Sequence, residues 1–373
     1  LFLRSLTTGC FRNLASQTVE FGPGVTLVVG RNGQGKTNLL EAFACLGNLR
    51  SFRGAALRKM AAHGERRFRL EGRVAAMDGG DVTLGLLADV APEPSRRLQV
   101  DGVRVELEAY LQILPVFALS AADAELVVGP PEGRRAFLDR SAFLLDRRHL
   151  DLVRSYRRVL AQRNAALASG RSAAEVAVWE EGLAVSAAGV VLGRREVLGA
   201  IEPSFQEMYA RLRGPGFPDV TLDYRSEAEG DEGREELARI YRKRYDSSRD
   251  RDRQAGFTLV GPHRHDLGLR ADNRSVRDVL SAGQVKVVAA ALNVASLAQV
   301  ERRRDDEMPV LVDDADAEVD AGVLRNLMDV LGTRRQIVCS SAHGRSVARV
   351  LNARRVIEMH DGMVRPTERG PHE

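Results

Sequence analysis

Cysteine is scarce in this 373-residue sequence: Cys10, Cys45 and Cys339 are far apart, and each lies in a segment expected to belong to the core. Isolated thiols of this kind exclude a disulfide framework and a cysteine metal site, and they fit a reducing compartment. Long apolar runs are missing too. None approaches the ~20 residues a membrane span needs, and Leu1-Phe2-Leu3-Arg4-Ser5 carries no secretory core. The expectation is a cytoplasmic protein with no membrane association. Lysine is almost absent: Lys36, Lys59, Lys243 and Lys286 are the only four among 55 basic residues, the other 51 being arginine. Arginine suits phosphate contacts, and a net charge of +4 with a pI near 9.1 is compatible with a nucleic-acid partner. The 44% hydrophobic content is that of a globular protein with a core, and the length allows two domains.

Two of the four lysines fall inside motifs. Lys36 belongs to Gly30-Arg31-Asn32-Gly33-Gln34-Gly35-Lys36-Thr37, which fits the phosphate-loop pattern G-x-x-x-x-G-K-[ST]. The apolar run Val25–Val29 before it predicts a buried strand. The segment from Asn38 to Leu46 after it predicts a helix with apolar residues at helical spacing. Glycines there let backbone N–H groups close around a phosphate, and the helix N-terminus adds partial positive charge. Lys36 would reach the β- and γ-phosphates of a nucleotide, and Thr37 would hold Mg²⁺.

Along the chain, the residues before Val25 predict two strands separated by Phe11-Arg12-Asn13. Arg12 is exposed if Phe11 is buried, and so within reach of a nucleotide. Alternation over 66–107 predicts a small antiparallel sheet, with Asp101-Gly102 as a hairpin turn. From 121 to 212 the spacing becomes helical, with arginines on the faces opposite the apolar ones. These read either as a solvated face or as a stripe facing DNA. A linker over 213–235 and a charged helix over 237–253 follow. Phe257–Val260 then predicts a strand, and αβ alternation resumes. The expected domains are 1–120 (N-terminal half of a nucleotide-binding head), 121–254 (helical lobe) and 255–373 (C-terminal half of the head). The expected fold class is α/β, a head with a small antiparallel β-subdomain and an inserted α-helical lobe.

The apolar strand Val310–Val312 ends in Asp313-Asp314. A carboxylate there complements a phosphate loop: Asp313 would hold Mg²⁺, and Asp314 would act as general base on the attacking water. Ser281-Ala282-Gly283-Gln284 reads as a helix capping box. The same free N–H groups and hydroxyl could also meet a γ-phosphate. Since this chain's own phosphate site is already supplied, that phosphate would belong to a second copy, with ATP sandwiched in a two-fold dimer.

Asn32 to Asn38, Ser281 to Lys286 and Asp313-Asp314 resemble the ABC-type head of the structural-maintenance-of-chromosomes class. Gly261-Pro262-His263-Arg264 with Asp266-Leu267, and Gly129-Pro130-Pro131 with Arg134-Arg135 and Phe137-Leu138-Asp139, resemble the RecF recombination and repair family. The resemblance spans essentially the whole chain. It implies a DNA-binding protein that dimerises around ATP on gapped or junction DNA, double- and single-stranded, and helps load RecA. RecR and RecO would be partners, and slow DNA-stimulated ATP hydrolysis would release the protein. On this reading Lys36, Ser281 and Asp314 are catalytic, and Thr37 and Asp313 hold Mg²⁺. The nucleotide is bound by Gly30, Arg31, Asn32, Gly33, Gln34, Gly35, Lys36, Thr37, Asn38, Arg12, Gly283 and Gln284.

Some positions depart from the family pattern. Ser120-Ala121-Ala122-Asp123 stands where the family tends to carry Ser-Pro-Glu-Asp, and the D-loop reads Ala317-Glu318-Val319-Asp320. No glutamine occurs between Gln34 and Gln99, so a glutamine loop has no counterpart. His343, Ser340 and Ser341 all stand as candidates for the switch residue. The alternative reading is an ABC-type ATPase subunit of another complex, such as a transporter.

Overall fold

The computed structural model describes residues 2–75, 80–228, 230, 232–315, 321–332 and 334–365. The expected D-loop, 317–320, lies outside them. The chain forms two compact units.

The first unit comprises residues 1–124, 208–217 and 281–373. Its central sheet has the strand order Met363–Arg365, Arg355–His360, Val25–Val29, Ile337–Ser341, Val310–Val312, Phe117–Leu119. All pairings are parallel except the terminal hairpin, in which Met359 faces Val364. Parallel strands covered on both faces read as unbroken apolar runs, which is the pattern of Val25–Val29 and Val310–Val312. A second, antiparallel sheet runs Gln17–Glu20, Phe2–Gly9, Arg67–Ala75, Asp81–Asp89, Ser95–Val100, Val103–Arg104. Its alternating burial is the expected one, and Asp101-Gly102, both at positive φ, makes the predicted tight turn. The helix Lys36–Asn48 is buried along most of its length. Leu39, Leu40, Phe43 and Leu46 share one core with Leu3, Leu6, Phe11 and Phe68.

The second unit comprises residues 125–207 and 218–280. Helices Arg148–Ala168 and Arg234–Ala255, with part of Glu180–Leu212, pack around Tyr156, Leu183, Val191, Leu237, Tyr241 and Tyr245, and Pro131–Leu145 lies against Arg148–Ala168 and Asp266–Ala271. They accompany a three-stranded antiparallel sheet ordered Arg274–Ser275, Asp266–Ala271, Val220–Arg225. This sheet corrects three expectations. A strand lies within the stretch read as linker, because Val220 and Leu222 alternate with exposed residues over only six positions. Phe257–Val260 is not a strand: side chains rather than a ladder satisfy its backbone, Thr258 N donating to Asn164 Oδ1 (2.9 Å) and Leu259 N to Asp252 Oδ1 (3.0 Å). Residues 255–280 belong with the helical unit and not with the head, since Asp266–Ala271 pairs with Val220–Arg225 along its whole length.

Not all of the helical arginines fit the two sequence readings, a solvated face or a stripe facing DNA, because some are buried in ion pairs. Arg157 and Arg158 are exposed, but Arg134, Arg163 and Arg194 are buried. Arg163 meets Asp252 (2.7 Å), Glu180 (3.0 Å) and Thr258 Oγ1 (2.8 Å). The expectation about apolar runs also needs amending. Ala173–Leu212 and Ala282–Arg304 are long and apolar enough, by length and composition, to cross a membrane. More than half of each apolar window is buried within the protein, the pattern of a core helix.

Candidate nucleotide site

The phosphate loop follows the strand Val25–Val29 and opens the helix Lys36–Asn48. Gly30, Gly33 and Gly35 all take positive φ (158°, 82° and 103°), and Gly35 is the helix N-cap, with no side chain capping the first turn. That leaves backbone N–H groups of the loop and first turn for an anion, at the positive end of the helix dipole. Arg31, Asn32 and Gly33 are exposed, whereas Lys36 is buried. Lys36 Nζ donates to the loop carbonyls of Gly30 (2.8 Å) and Arg31 (3.2 Å), which holds the ammonium across the loop.

Two turns from opposite ends of the sequence grip this loop. Asn13 donates to Gly33 O (3.2 Å) and accepts from Asn38 Nδ2 (2.7 Å). Asp361 N donates to Gln34 Oε1 (2.6 Å), and Gly362 N to Gln34 O (3.0 Å). Gln34 and Asn38, read as nucleotide contacts, are thus engaged with the protein. Arg12 is likewise engaged with the protein. Phe11 is fully buried as anticipated, but the guanidinium of Arg12 makes a bidentate pair with Glu41, 2.8 Å on each arm. Glu41 is itself fully buried on the loop helix and also accepts from Ser51 Oγ. A glutamate amid apolar helix residues was the available signal for this pairing, since a buried carboxylate requires a cation.

Facing the loop is the end of the strand Val310–Val312. Thr37 Oγ1 donates to Asp313 Oδ1 (2.9 Å), and Ser340 Oγ donates to the same oxygen (2.7 Å). Burial raises the Asp313 carboxyl above its ordinary value, and the hydrogen bonds from Ser340 and Thr37 oppose this. Asp314, at φ 47°, donates its backbone N–H to Ser340 Oγ (2.8 Å). One buried serine therefore fixes both aspartates, a role distinct from those of the other switch candidates. Ser341 Oγ accepts from His343 N (2.9 Å), and His343 is exposed at the start of the helix Gly344–Val350.

Mg²⁺ fits this donor set. Among the described residues no group of three or more His, Cys, Asp or Glu side chains could hold a metal. One carboxylate beside one hydroxyl suits an ion that keeps waters and phosphate oxygens in its shell. Both hydrogen bonds fall on Asp313 Oδ1.

Ser281 caps the helix Ala282–Arg304 in a full capping box. Gln284 N donates to Ser281 Oγ (3.3 Å), and Ser281 N donates to Gln284 Oε1 (2.8 Å). Ser281, Ala282 and Gly283 are exposed, with open space around Gly283. The capping role and an outward-facing helix start coexist, as the sequence allowed.

In the second unit, the two family-specific blocks lock onto each other. Arg134 pairs with Asp266 (2.7 and 2.9 Å) and donates to Gly129 O (2.8 Å), and Arg135 donates to His265 O (2.8 Å). Arg194 ties Asp139 (2.7 and 2.9 Å) to Pro262 O (2.7 Å). His263 is held between Tyr156 OH (2.6 Å) and Thr258 O (3.0 Å), a structural placement, and Arg264 stacks over Phe257.

The family described as RecF/RecN/SMC N terminal domain matches residues 2–365. The DNA replication and repair protein RecF of Anaeromyxobacter sp. (strain Fw109-5) is 36% identical over 333 residues, covering 88% of this chain and 89% of that protein. RecF of Synechococcus sp. (strain JA-3-3Ab) is 30% identical over 377 residues, 98% of each chain. A solved structure of the recombination mediator protein RecF-ATP in the RecFOR pathway shares the fold with a TM-score of 0.89. It is 24% identical and covers 98% of this chain and 97% of that one. The fold is that of an ABC/SMC-type ATPase head, and the chain belongs to the RecF family of DNA replication and repair proteins.

Proposed function

We propose that this chain is an ATP-binding, DNA-binding repair protein that dimerises around ATP on gapped or junction DNA and helps load RecA. Slow, DNA-stimulated hydrolysis then releases it. The observation that carries the reading is the closure of Thr37, Asp313, Ser340 and Asp314 beside a loop whose helix start has no side-chain cap. Loop N–H groups and Lys36 would bind the β- and γ-phosphates. Thr37 and Asp313 would hold Mg²⁺, which supplies charge neutralisation at the phosphates. Asp314 would orient the attacking water and accept its proton. The exposed start at Ser281, Gly283 and Gln284 would meet the γ-phosphate held by a second copy, so each nucleotide is shared. Family membership supports DNA as the ligand, and the RecFOR pathway named for the solved relative supports RecR and RecO as partners; a cytoplasmic setting goes with this reading.

A gapped-duplex binding assay with and without ATP, run beside sedimentation, tests the reading. The expected result is ATP-dependent DNA affinity together with a doubling of mass. Lys36→Ala should abolish both. Ser281→Arg should block dimerisation and spare ATP binding, and Asp314→Ala should retain ATP binding while slowing hydrolysis at least about tenfold. If neither DNA affinity nor mass responds to ATP, the reading is wrong.

A further inference from the structure

The second unit carries a basic groove outside the nucleotide site. A cavity of about 420 Å³ opens against its three-stranded sheet, lined by Arg134, Arg225, Arg270 and Arg277. The carboxylate in the lining, Asp266, is consumed by Arg134, whose Nη1 donates in addition to Gly129 O, so that pair forms a neutral floor. The three outer arginines are compensated differently. Arg225 and Arg270 share one partner, Asp223, at 3.0 and 4.0 Å, and both side chains are about half exposed (49% and 50%). Arg277 is exposed, and its guanidinium donates to Gly129 O, a neutral acceptor. Three guanidinium groups therefore border one concave surface with one carboxylate among them.

The helical arginines lack this convergence. Arg148 is paired with Asp146 (2.7 Å), Arg154 with Asp151 (3.6 Å) and Arg239 with Glu236, all on exposed helix faces. A concave basic surface with low-dielectric walls concentrates its field, whereas paired charges on a convex face are screened. Guanidinium forks at the rim match phosphate oxygens in charge and geometry.

We propose that this groove seats the phosphodiester backbone of DNA, through Arg225, Arg270 and Arg277. The assignment rests on the DNA-binding function above and locates one contact surface for it. It carries no base readout, because the ligand is the phosphate backbone and three point contacts fix position rather than sequence.

The test is equilibrium binding of a fluorescent gapped duplex to the full chain with ATP, across a series of salt concentrations. It compares the unaltered protein with the triple variant Arg225→Ala, Arg270→Ala, Arg277→Ala. The variant should bind at least about tenfold more weakly, and its plot of log affinity against log salt should be shallower by about 2 to 3, the counterions of three phosphates. ATP affinity and ATP-dependent mass should be unchanged. The charge-keeping variant Arg225→Lys, Arg270→Lys, Arg277→Lys should recover most of the affinity, and Arg157→Ala with Arg158→Ala should lose little. Equal affinity and slope in the alanine variant overturn the groove and leave the function standing. An acidic peptide that competes for the groove while DNA binding ignores the substitutions also overturns it. Absence of DNA binding by the unaltered protein overturns both.

Discussion

Gly362 takes φ 77° in the turn that follows the strand Arg355–His360, and a Cβ there would collide with the carbonyl of Asn13. Its carbonyl accepts from Ala15 N (3.0 Å) and Gln17 Nε2 (2.7 Å), and its N–H reaches Gln34 O (3.0 Å). One residue thus fixes both the turn after the first strand and the phosphate loop. Gly362→Ala combines a disfavoured backbone conformation with a steric clash, and each costs of order 1 kcal/mol or more. ATP affinity should fall about tenfold, read by calorimetric titration. Gly199→Ala, on a helix with nothing nearby, should leave ATP affinity alone and stabilise by up to ~1 kcal/mol. The loop itself was legible in the sequence, because eight contiguous residues encode glycine freedom, charge and hydroxyl at fixed spacing. Gly362 and the Arg12–Glu41 pair were not, since their roles come from neighbours brought together by the fold. Ser340 was named as a candidate, but its hold on both aspartates follows only from the register of adjacent parallel strands.

At the level of elements, burial of ion pairs decides how the helical unit responds to acid. Burial acts to raise the Asp139 carboxyl, but hydrogen bonds from His149 and Arg194 outweigh it and hold the group down at about 2. A carboxylate depressed in the folded state contributes stability above its unfolded value of about 3.9, and that contribution is lost as pH falls toward 2. Here it amounts to roughly 2.5 kcal/mol. Asp139→Asn leaves Arg194 buried without its partner, so the loss at neutral pH should be larger, about 3 kcal/mol or more. Urea unfolding followed between pH 7 and 2 checks both points. The variant should be less stable at pH 7 and should lose less than the parent between pH 4 and 2. Helical spacing predicted the elements that carry these groups. It could not separate Arg163 or Arg194 from Arg157, because an arginine's burial depends on carboxylates contributed by other elements.

Across the whole molecule, the sequence pattern revealed an αβ head interrupted by a helical insert, but it misplaced the return point. Residues 255–280 looked like head because αβ alternation resumes there, yet their strand pairs with Val220–Arg225. Periodicity reports which face of a strand is buried and says nothing of its partner. The same non-locality governs the central sheet, where Val25–Val29 lies between Ile337–Ser341 and Arg355–His360. Contacts so distant in sequence make folding slow, because chain entropy is lost before they form. In refolding from urea, helical signal should return before ATP binding, and simultaneous recovery would contradict this order.

The hairpin that turns at Gly362 also bears on biosynthesis. Both turns that brace the phosphate loop must be present before it can be held, and one of them lies 327 residues after the loop residue it contacts. A nascent chain still lacking Arg355–Arg365 would carry an intact Gly30–Thr37 motif without a rigid ATP pocket. Nucleotide capture, and any pairing of copies that depends on it, is thereby deferred until the segment Arg355–Arg365 has been made.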